Sequence, residues 1–493
     1  MPPLWSCDWA GCPSPAVQRS GDCLLCDRHL CRTHLRDEWH TCPKPEVVCF
    51  QGHIVPDLLR EVVSNRCWQT NWNDYSAQYV AAESRRLEDL CRRIDGGQLC
   101  ARASQVRSDA NVPCTVDLSP KKLSAMMGGQ NCHADVVFAD GVVWLARFRL
   151  SSPASPPPEV RDYVLRSEAA TMEFLQGQTR IPSPRVYDWA CESDPTNAVG
   201  VGYILMEKLQ GTPLDWQRAA SPQREKVVRQ LADIMLEIER HPFDKLGSLM
   251  TTTTESGVQV QGLAQHSTFR SGEGDGPPGP FRSSREASRA LVEAHLRMIA
   301  SAEIGTAENA VDVFLAHRFR LDVLNRVWVE EEGERFFLKH PDDKGDHILV
   351  NADFDIVGLI DWEWCGTAPR EEAFSSPCMM WPVAAFYDGS NELADGEMLL
   401  ARVFCEKDRE DLARCVLDGR RVQRFLFALG PDGASHKDRR TFARLLMGLK
   451  KVFEPGHDGK ERGIEEEEWD AWRARALVKW EHDKLLQAIL KSK

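Results

Sequence analysis

The feature that most constrains this chain is a cluster of cysteine and histidine residues near its start. A zinc ion takes four nitrogen or sulfur ligands in a tetrahedron, and a C-x2-C turn presents two thiolates to one ion. The cluster contains eight such side chains, so the sequence predicts two zinc ions. A segment of about 40 residues buries too little apolar surface to fold alone, so the metal would supply the folding free energy. The eight side chains follow the spacing C-x4-C-x10-C-x2-C-x4-C-x2-H-x5-H-x-C and are Cys7, Cys12, Cys23, Cys26, Cys31, His34, His40 and Cys42.

This pattern resembles the AN-one-type zinc finger, a cross-braced module that holds two zinc ions. All eight ligands are protein side chains, which leaves no open position for a substrate. We therefore expect the zinc ions to be structural and the finger to dock onto a protein partner, ubiquitin-related or other. The resemblance implies one site made of Cys7, Cys12, Cys31 and His34 and a second made of Cys23, Cys26, His40 and Cys42.

Charge, hydropathy and cysteine distribution narrow the binding partners and the cellular compartment expected for this chain. The formal net charge of −13 argues against a protein that binds nucleic acid or an anionic membrane, since both need a basic surface. No apolar run approaches the roughly 18 residues of a membrane-spanning helix, and the N-terminus lacks the basic start and apolar core of a signal peptide. The other eleven cysteines are scattered singly, as is usual in a reducing compartment. We expect a cytoplasmic or nuclear protein.

A second cluster lies in residues 336–364, FFLKHPDDKGDHILVNADFDIVGLIDWEW. The runs ILV and IVGLI flank a short polar loop and predict an antiparallel hairpin. Asp342 precedes this hairpin, within the triplet that begins at His340, and Asp361 follows it directly. Phosphoryl transfer needs a carboxylate to orient the attacking hydroxyl, and oxygen ligands to hold magnesium against the phosphates. The pattern therefore predicts two carboxylates that face one cleft.

This segment resembles the aminoglycoside phosphotransferase family, a branch of the protein-kinase-like fold with fungal members. The resemblance implies that Asp342 is the catalytic base, His340 the structural histidine of its loop and Asp361 a magnesium ligand. His347 occupies the position of the family's metal-binding asparagine. Because neutral imidazole is a poor magnesium ligand, a nearby carboxylate, water or a softer metal would have to take over that role.

The upstream sequence agrees with this resemblance. The segment 128–148 contains a glycine turn and two strands joined through Asp140-Gly141, which is a strong hairpin signal. The resemblance places Arg147 where a strand lysine grips the phosphates, and Glu168 on the helix whose glutamate pairs with it. The resemblance to the phosphotransferase family covers roughly residues 115–385. The implied nucleotide-binding residues, including a hinge around the adenine, are Gly128, Gly129, Arg147, Glu168, Glu207 and Lys208.

These features together predict an α+β chain with a two-lobed protein-kinase-like fold and a mainly helical C-terminal lobe, preceded by a small double-zinc finger. Residues 251–284, rich in Ser, Thr, Gly and Pro, are expected to form a flexible insertion. The proline-rich stretch 151–159 is expected to be irregular. The predicted domains are a finger at 1–45, a helical linker region at 46–110, an N-lobe and hinge at 111–210 and a helical C-lobe with the catalytic loop at 211–493.

The function predicted for this chain is ATP- and magnesium-dependent phosphorylation of a hydroxyl group on a small molecule. Two other hypotheses stay open. His347 and Arg147 depart from the family pattern and favour a nucleotide-binding pseudokinase, and the finger alone favours an adaptor. A protein kinase is less consistent with the sequence, because no activation loop follows Asp361.

Overall fold

The finger folds around its predicted ligand side chains. Two short strands, β1 (Asp22–Cys23) and β2 (Arg28–His29), pair antiparallel. The small interior contains Cys7, Leu30 and Cys31, against which partly buried side chains pack. Here and below, the structure is a computed structural model that describes residues 2–43, 66–107, 112–252, 257–328, 333–427, 439–453 and 464–491.

The N-lobe, residues 66–207, is built on a five-stranded antiparallel sheet in the order β3-β4-β5-β7-β6. The predicted hairpin through Asp140-Gly141 is confirmed, since β4 and β5 pair across that turn and Gly141 has a φ of +87°. Its elements are α1 (Arg66–Arg93), α2 (Gly96–Val106), β3 (Cys114–Val116), α3 (Pro120–Ala125), β4 (Asn131–Phe138), β5 (Val143–Arg149), α4 (Pro158–Gln178), β6 (Val186–Ala190) and β7 (Tyr203–Glu207).

The two helices α1 and α2 cover one face of this sheet. Leu87, Leu90 and Ile94 are buried against it, together with Leu99 of α2. The side chain of Asp95 caps α2 by accepting a hydrogen bond from the amide of Gln98 at 2.9 Å. Part of the predicted linker region therefore belongs to the N-lobe, while residues 44–65 and 108–111 lie outside the described residues. The domain boundaries themselves stay predictions.

Helix α4 lies on the opposite side of the sheet. On β5, Trp144, Ala146 and Phe148 face α1 and α2, so the alternation of a strand turns Arg147 towards α4. The proline-rich stretch was predicted to be irregular throughout, but Pro158 begins α4. Proline is compatible with the first turn of a helix because the amide it lacks would have no intrahelical partner there.

The C-lobe is mainly helical, as predicted. The hairpin predicted from ILV and IVGLI is present as the antiparallel pair β12 (Ile348–Val350) and β13 (Ile356–Leu359). Short 3₁₀ helices occur at His266–Ser271, Glu273–Asp275 and Cys378–Met380. The other elements are β8 (Thr212–Pro213), α5 (Ser221–Glu239), β9 (Ser248–Thr251), β10 (Val258–Gln261), α6 (Ser284–Ala300), α7 (Ala310–Val327), β11 (Phe336–Lys339), β12 (Ile348–Val350), β13 (Ile356–Leu359), β14 (Gly366–Pro369), α8 (Arg370–Ala373), α9 (Val383–Tyr387), α10 (Asp395–Glu406), α11 (Glu410–Leu417), α12 (Arg420–Phe427), α13 (Arg439–Phe453), α14 (Ile464–Lys479) and α15 (Lys484–Lys491).

The predicted flexible insertion at 251–284 differs from the structure. Residues 253–256 lie outside the described residues, but 257–284 contain β10 and bury apolar side chains, among them Val260 and Phe269. The prediction rests on the polar and glycine content of this stretch. The structure differs because the apolar residues spaced between those positions pack against neighbouring elements.

None of the described helices is both long and apolar enough to cross a membrane. On α13, Phe442, Leu446 and Leu449 enter the main apolar cluster of the helical region, and Leu445 enters a second one.

Candidate functional site

The eight predicted metal ligands converge in two groups. Within each group, the ligand atoms all lie within 4.8 Å of one another. In the first group, Nδ1 of His34 lies 3.3 Å from both the Cys7 and Cys31 sulfurs, and in the second, Nε2 of His40 lies 3.6 Å from Cys26 Sγ. The groups have the predicted membership: Cys7, Cys12, Cys31 and His34, and Cys23, Cys26, His40 and Cys42.

A buried ion pair links the N-lobe sheet to α4. Arg147 of β5 donates a hydrogen bond to the Glu168 carboxylate, and both side chains are almost completely buried. Burial raises the pKa of Glu168, and the charge of Arg147 opposes that rise. The structure therefore brings together the two residues that the sequence paired. A basic strand residue joined to a helix glutamate is the arrangement that positions nucleotide phosphates in protein kinases.

Asp361 lies next to this ion pair. Its Oδ1 is 3.8 Å from Nη1 of Arg147, and its side chain is about half exposed (55%). Its φ of +62° places it in the left-handed region, which is uncommon for a residue other than glycine. This backbone conformation lies at the end of the β12–β13 hairpin, where the chain must turn. An exposed carboxylate beside a buried arginine is suited to holding a cation and a phosphate together.

The loop that carries Asp342 is tied to the same hairpin. The ring of His340 is hydrogen-bonded through Nε2 to the carbonyl of Ile360 at 2.9 Å, and its Nδ1 accepts a hydrogen bond from the amide of Asp342 at 3.2 Å. His340 thus connects Asp342 to the residue before Asp361. Burial lowers the pKa of His340, although Asp361, Asp342 and Asp343 oppose that effect.

Asp342 itself has one oxygen in contact and one without a partner. Lys344 Nζ lies 3.1 Å from Asp342 Oδ2. Oδ1 is buried and makes no hydrogen bond among the described residues. The side chain as a whole is 38% exposed, so the predicted catalytic carboxylate can be reached by a small molecule.

His347 is buried beneath this loop. Its ring stacks on that of His340 with centroids 4.1 Å apart, and burial lowers its pKa to about 3. The imidazole is therefore neutral at physiological pH, and its Nδ1 has no hydrogen-bond partner among the described residues. Nearby, Asp343 pairs with Lys339 at 3.1 Å. Burial raises the pKa of Asp343. The charge of Lys339 and hydrogen bonds from Cys378 outweigh this rise and hold the pKa of Asp343 below its usual value.

The other predicted nucleotide-binding residues adjoin two inner strands of the N-lobe sheet, β4 and β7. Gly128 and Gly129 form the turn that leads into β4, where the Gly128 amide donates to the Asn131 carbonyl at 2.8 Å. Glu207 ends β7, and Lys208 follows it. Lys208 Nζ donates to both carboxylate oxygens of Asp135, at 2.8 and 2.7 Å. The nucleotide-binding roles of these residues stay predictions.

Sequence reasoning missed a second ion pair beside the first. Arg149 pairs with Glu363, and Asn131 Nδ2 donates to the same carboxylate at 2.8 Å. The signal was present, because Arg149 is two residues beyond Arg147 on one strand and therefore faces the same side. Glu363 likewise follows Asp361 by two. The structure thus joins β5 to the segment after the hairpin through four charged side chains, and β4 joins the same segment through the amide of Asn131.

A protein-family model described as the phosphotransferase enzyme family (APH) matches residues 143–394, just over half of the chain. The chain belongs to this family. The matched region contains both members of the Arg147–Glu168 pair as well as Asp342 and Asp361. The finger, α1 and α2 precede the matched region.

Curated relatives match a smaller part. Two subtelomeric hrmA-associated cluster proteins from strains of Aspergillus fumigatus are 32% identical over 106 and 103 residues, which is 21% and 20% of this chain. The chain thus spans about a fifth of the length of the curated relatives it matches, 20% of one and 19% of the other.

Two solved structures are similar at low identity. A provisionally assigned aminoglycoside phosphotransferase from Ralstonia eutropha is 15% identical, with a TM-score of 0.44 over 73% of this chain and 99% of that one. A provisionally assigned fructosamine-3-kinase from Thermobifida fusca is 16% identical, with a TM-score of 0.39 over 71% and 98%.

Proposed function

We propose that this protein transfers the γ-phosphoryl group of ATP to a hydroxyl group of a small molecule. The observation that supports this most is the Arg147–Glu168 ion pair beside Asp361, with Asp342 tied to the same hairpin through His340. Arg147 would bind phosphate oxygens while Glu168 fixes its position. The partly exposed carboxylate of Asp342 would accept the proton of the attacking hydroxyl.

Magnesium is suited to the half-exposed Asp361, because it prefers oxygen ligands and keeps several waters. When bound with the nucleotide, it would neutralise part of the phosphate charge. Zinc is suited to the two finger groups, since three thiolates and one imidazole within ligand distance of a common centre form a closed structural site. Zinc therefore has no role in the transfer itself.

Exchange of Asp342 for asparagine tests the assignment of the base. In Asp342→Asn, ATP consumption with a panel of hydroxylated small molecules should fall by about 10²–10⁴-fold, because an amide cannot accept the proton. Nucleotide affinity, measured by titration calorimetry with ADP and magnesium, should stay within about twofold, since the phosphate-binding side chains are unchanged.

The exposed Asp353, in the loop between β12 and β13, provides the matched control, because Asp353→Asn makes the same chemical change away from the predicted site. It should retain most of the turnover. Equal turnover in Asp342→Asn and wild type would remove Asp342 from the mechanism, and ADP binding by both variants would still locate the nucleotide site.

One observation favours a second function, that of a nucleotide-binding pseudokinase. His347 replaces the oxygen-bearing asparagine of the family with a neutral, buried imidazole that cannot offer magnesium an oxygen. A pseudokinase would bind ADP with magnesium and turn over no acceptor in the panel. In that case, His347→Asn should raise magnesium-dependent ATP turnover, whereas an active phosphotransferase should already work with His347.

A further inference from the structure

The segment before the first finger ligand is buried in the kinase-like body. Leu4 is only 5% exposed and joins an apolar cluster with Val160 and Val164 of α4. Trp364, three residues after Asp361, packs against the same cluster. The finger thus reaches both the helix that carries Glu168 and the segment that carries Asp361. The other residues of this apolar cluster are Ala264, Phe269, Trp5 and Tyr163.

Polar contacts bind the finger to the C-lobe. The Gln18 amide donates to the Glu303 carbonyl at 2.8 Å, and its side chain donates to the Ser267 carbonyl at 3.2 Å. The Arg32 guanidinium donates to the carbonyls of Ile304 and Gly305 at 2.9 and 3.0 Å. These bonds attach the finger to the connection between α6 and α7 and to the 3₁₀ helix His266–Ser271.

Other contacts bind the finger to the N-lobe. The ring of His29, which is not a predicted ligand, stacks on Trp5 at 4.0 Å and is hydrogen-bonded to the Pro153 carbonyl at 3.0 Å, just before α4. Arg86 of α1 pairs with Asp27 at 2.5 Å. One small module therefore contacts both lobes.

Arg270 of the C-lobe completes the connection. Its guanidinium donates to the carbonyl of Pro3 at 2.6 Å and pairs with Glu159 in the first turn of α4. One side chain therefore holds the N-terminal segment of the finger and the start of the helix that positions Glu168.

We propose that the finger is an internal brace, which holds α4 and the segment Asp361–Trp364 together across the two lobes. Metal binding folds the finger and thereby keeps Leu4, Gln18 and Arg32 in place. Loss of the metal frees α4, and the Arg147–Glu168 pair loosens with it. The module acts on its own chain through this contact surface, and the proposal does not depend on which acceptor is phosphorylated.

The test is hydrogen exchange measured by mass spectrometry on the full chain. Leu4→Ala removes the apolar contact and leaves every metal ligand in place. We expect two zinc ions per chain to remain, while the amides of α4 around Glu168 exchange at least about tenfold faster. Leu24→Ala is the matched control, because it makes the same change within the finger at a side chain outside the buried clusters. It should leave exchange in α4 unchanged.

Removal of zinc from the wild type with a chelator should accelerate exchange in α4 in the same way. Arg32→Ala provides a second variant if Leu4→Ala does not fold, and it should accelerate α4 exchange about threefold through the C-lobe contact alone. Unchanged exchange in α4 after chelation and in the folded variants would overturn the proposal.

The outcome is separable from that of the proposed function. A wild type that binds no ADP contradicts phosphotransfer but leaves the exchange comparison intact. If the wild type turns over ATP but hydrogen exchange in α4 does not change with the state of the finger, only the brace proposal is contradicted.

Discussion

The finger and the helical end of the chain form their interiors in different ways. The interior cluster of the finger is small, with Cys7, Leu30 and Cys31 as its buried members, and eight ligand side chains come together in two groups. Helices α6, α7 and α12–α15 share one large apolar cluster, which includes Phe314 and Trp469. A metal-ligand framework needs a few residue types at fixed spacing, whereas an apolar core needs many side chains that fill a volume. The two regions should therefore respond to different perturbations.

The largest expected effect follows from removing a finger ligand. Cys31→Ser should reduce zinc from two ions per chain to one or fewer and unfold the finger, because structural zinc contributes about 10–16 kcal/mol of apparent binding free energy in small fingers. Zinc content by mass spectrometry and hydrogen exchange of residues 2–43 measure this. Cys405→Ser is the control, since Cys405 is exposed on α10 and should change neither quantity. Full zinc content in Cys31→Ser would contradict the ligand assignment.

A smaller effect is expected in the helical core. Phe314 is fully buried, so Phe314→Ala should lower the free energy of unfolding by about 3–5 kcal/mol, from lost burial and the cavity left behind. Guanidinium denaturation followed by circular dichroism measures it, and zinc content should stay at the wild-type value. Val383→Ala, at a side chain that is 44% exposed, should cost within about 0.5 kcal/mol. If the two variants lose equal stability, the helical cluster does not provide the core.

The smallest effect depends on pH. His295 and His317 stack in the helical core at 5.2 Å, and burial lowers the pKa of His295 to about 3 and that of His317 well below its usual value. The folded state therefore prefers neutral rings. The two neutral rings contribute their full stabilisation above about pH 6.5, the pKa of histidine in the unfolded state. This stabilisation is lost as the pH falls from 6.5 towards 3. For His295 the loss at pH 5 is about 2 kcal/mol.

Denaturation at pH 7.5 and pH 5 measures this loss. The difference between the two pH values should be about 2 kcal/mol smaller in His295→Phe than in wild type. The exposed His482 offers the control, because His482→Phe should keep the wild-type difference. The same loss in wild type and His295→Phe would show that His295 is not kept neutral by the fold.

Local patterns in the sequence predicted local structure well. Both hairpins, the Arg147 strand and the Glu168 helix occur where strand alternation and helical periodicity indicate. What periodicity cannot provide is the partner of a side chain on another element. Arg149 and Glu363 lie far apart in the chain, and only the packing of the hairpin against the sheet makes them an ion pair. Residues 257–284 were misjudged for the same reason, since their buried faces depend on distant neighbours.

The sequence by itself determined the eight candidate ligands and the hairpin that carries Asp361, because ligand spacing and turn chemistry are local properties. How the ligands divide into two groups, and the role of Arg147, came from the family resemblances. The tertiary structure alone decided that the finger, predicted as an accessory docking module, lies against α4 and both lobes. That contact depends on side chains such as Leu4, Arg32 and Glu303, which carry no distinguishing pattern and acquire their role only when hundreds of intervening residues have folded.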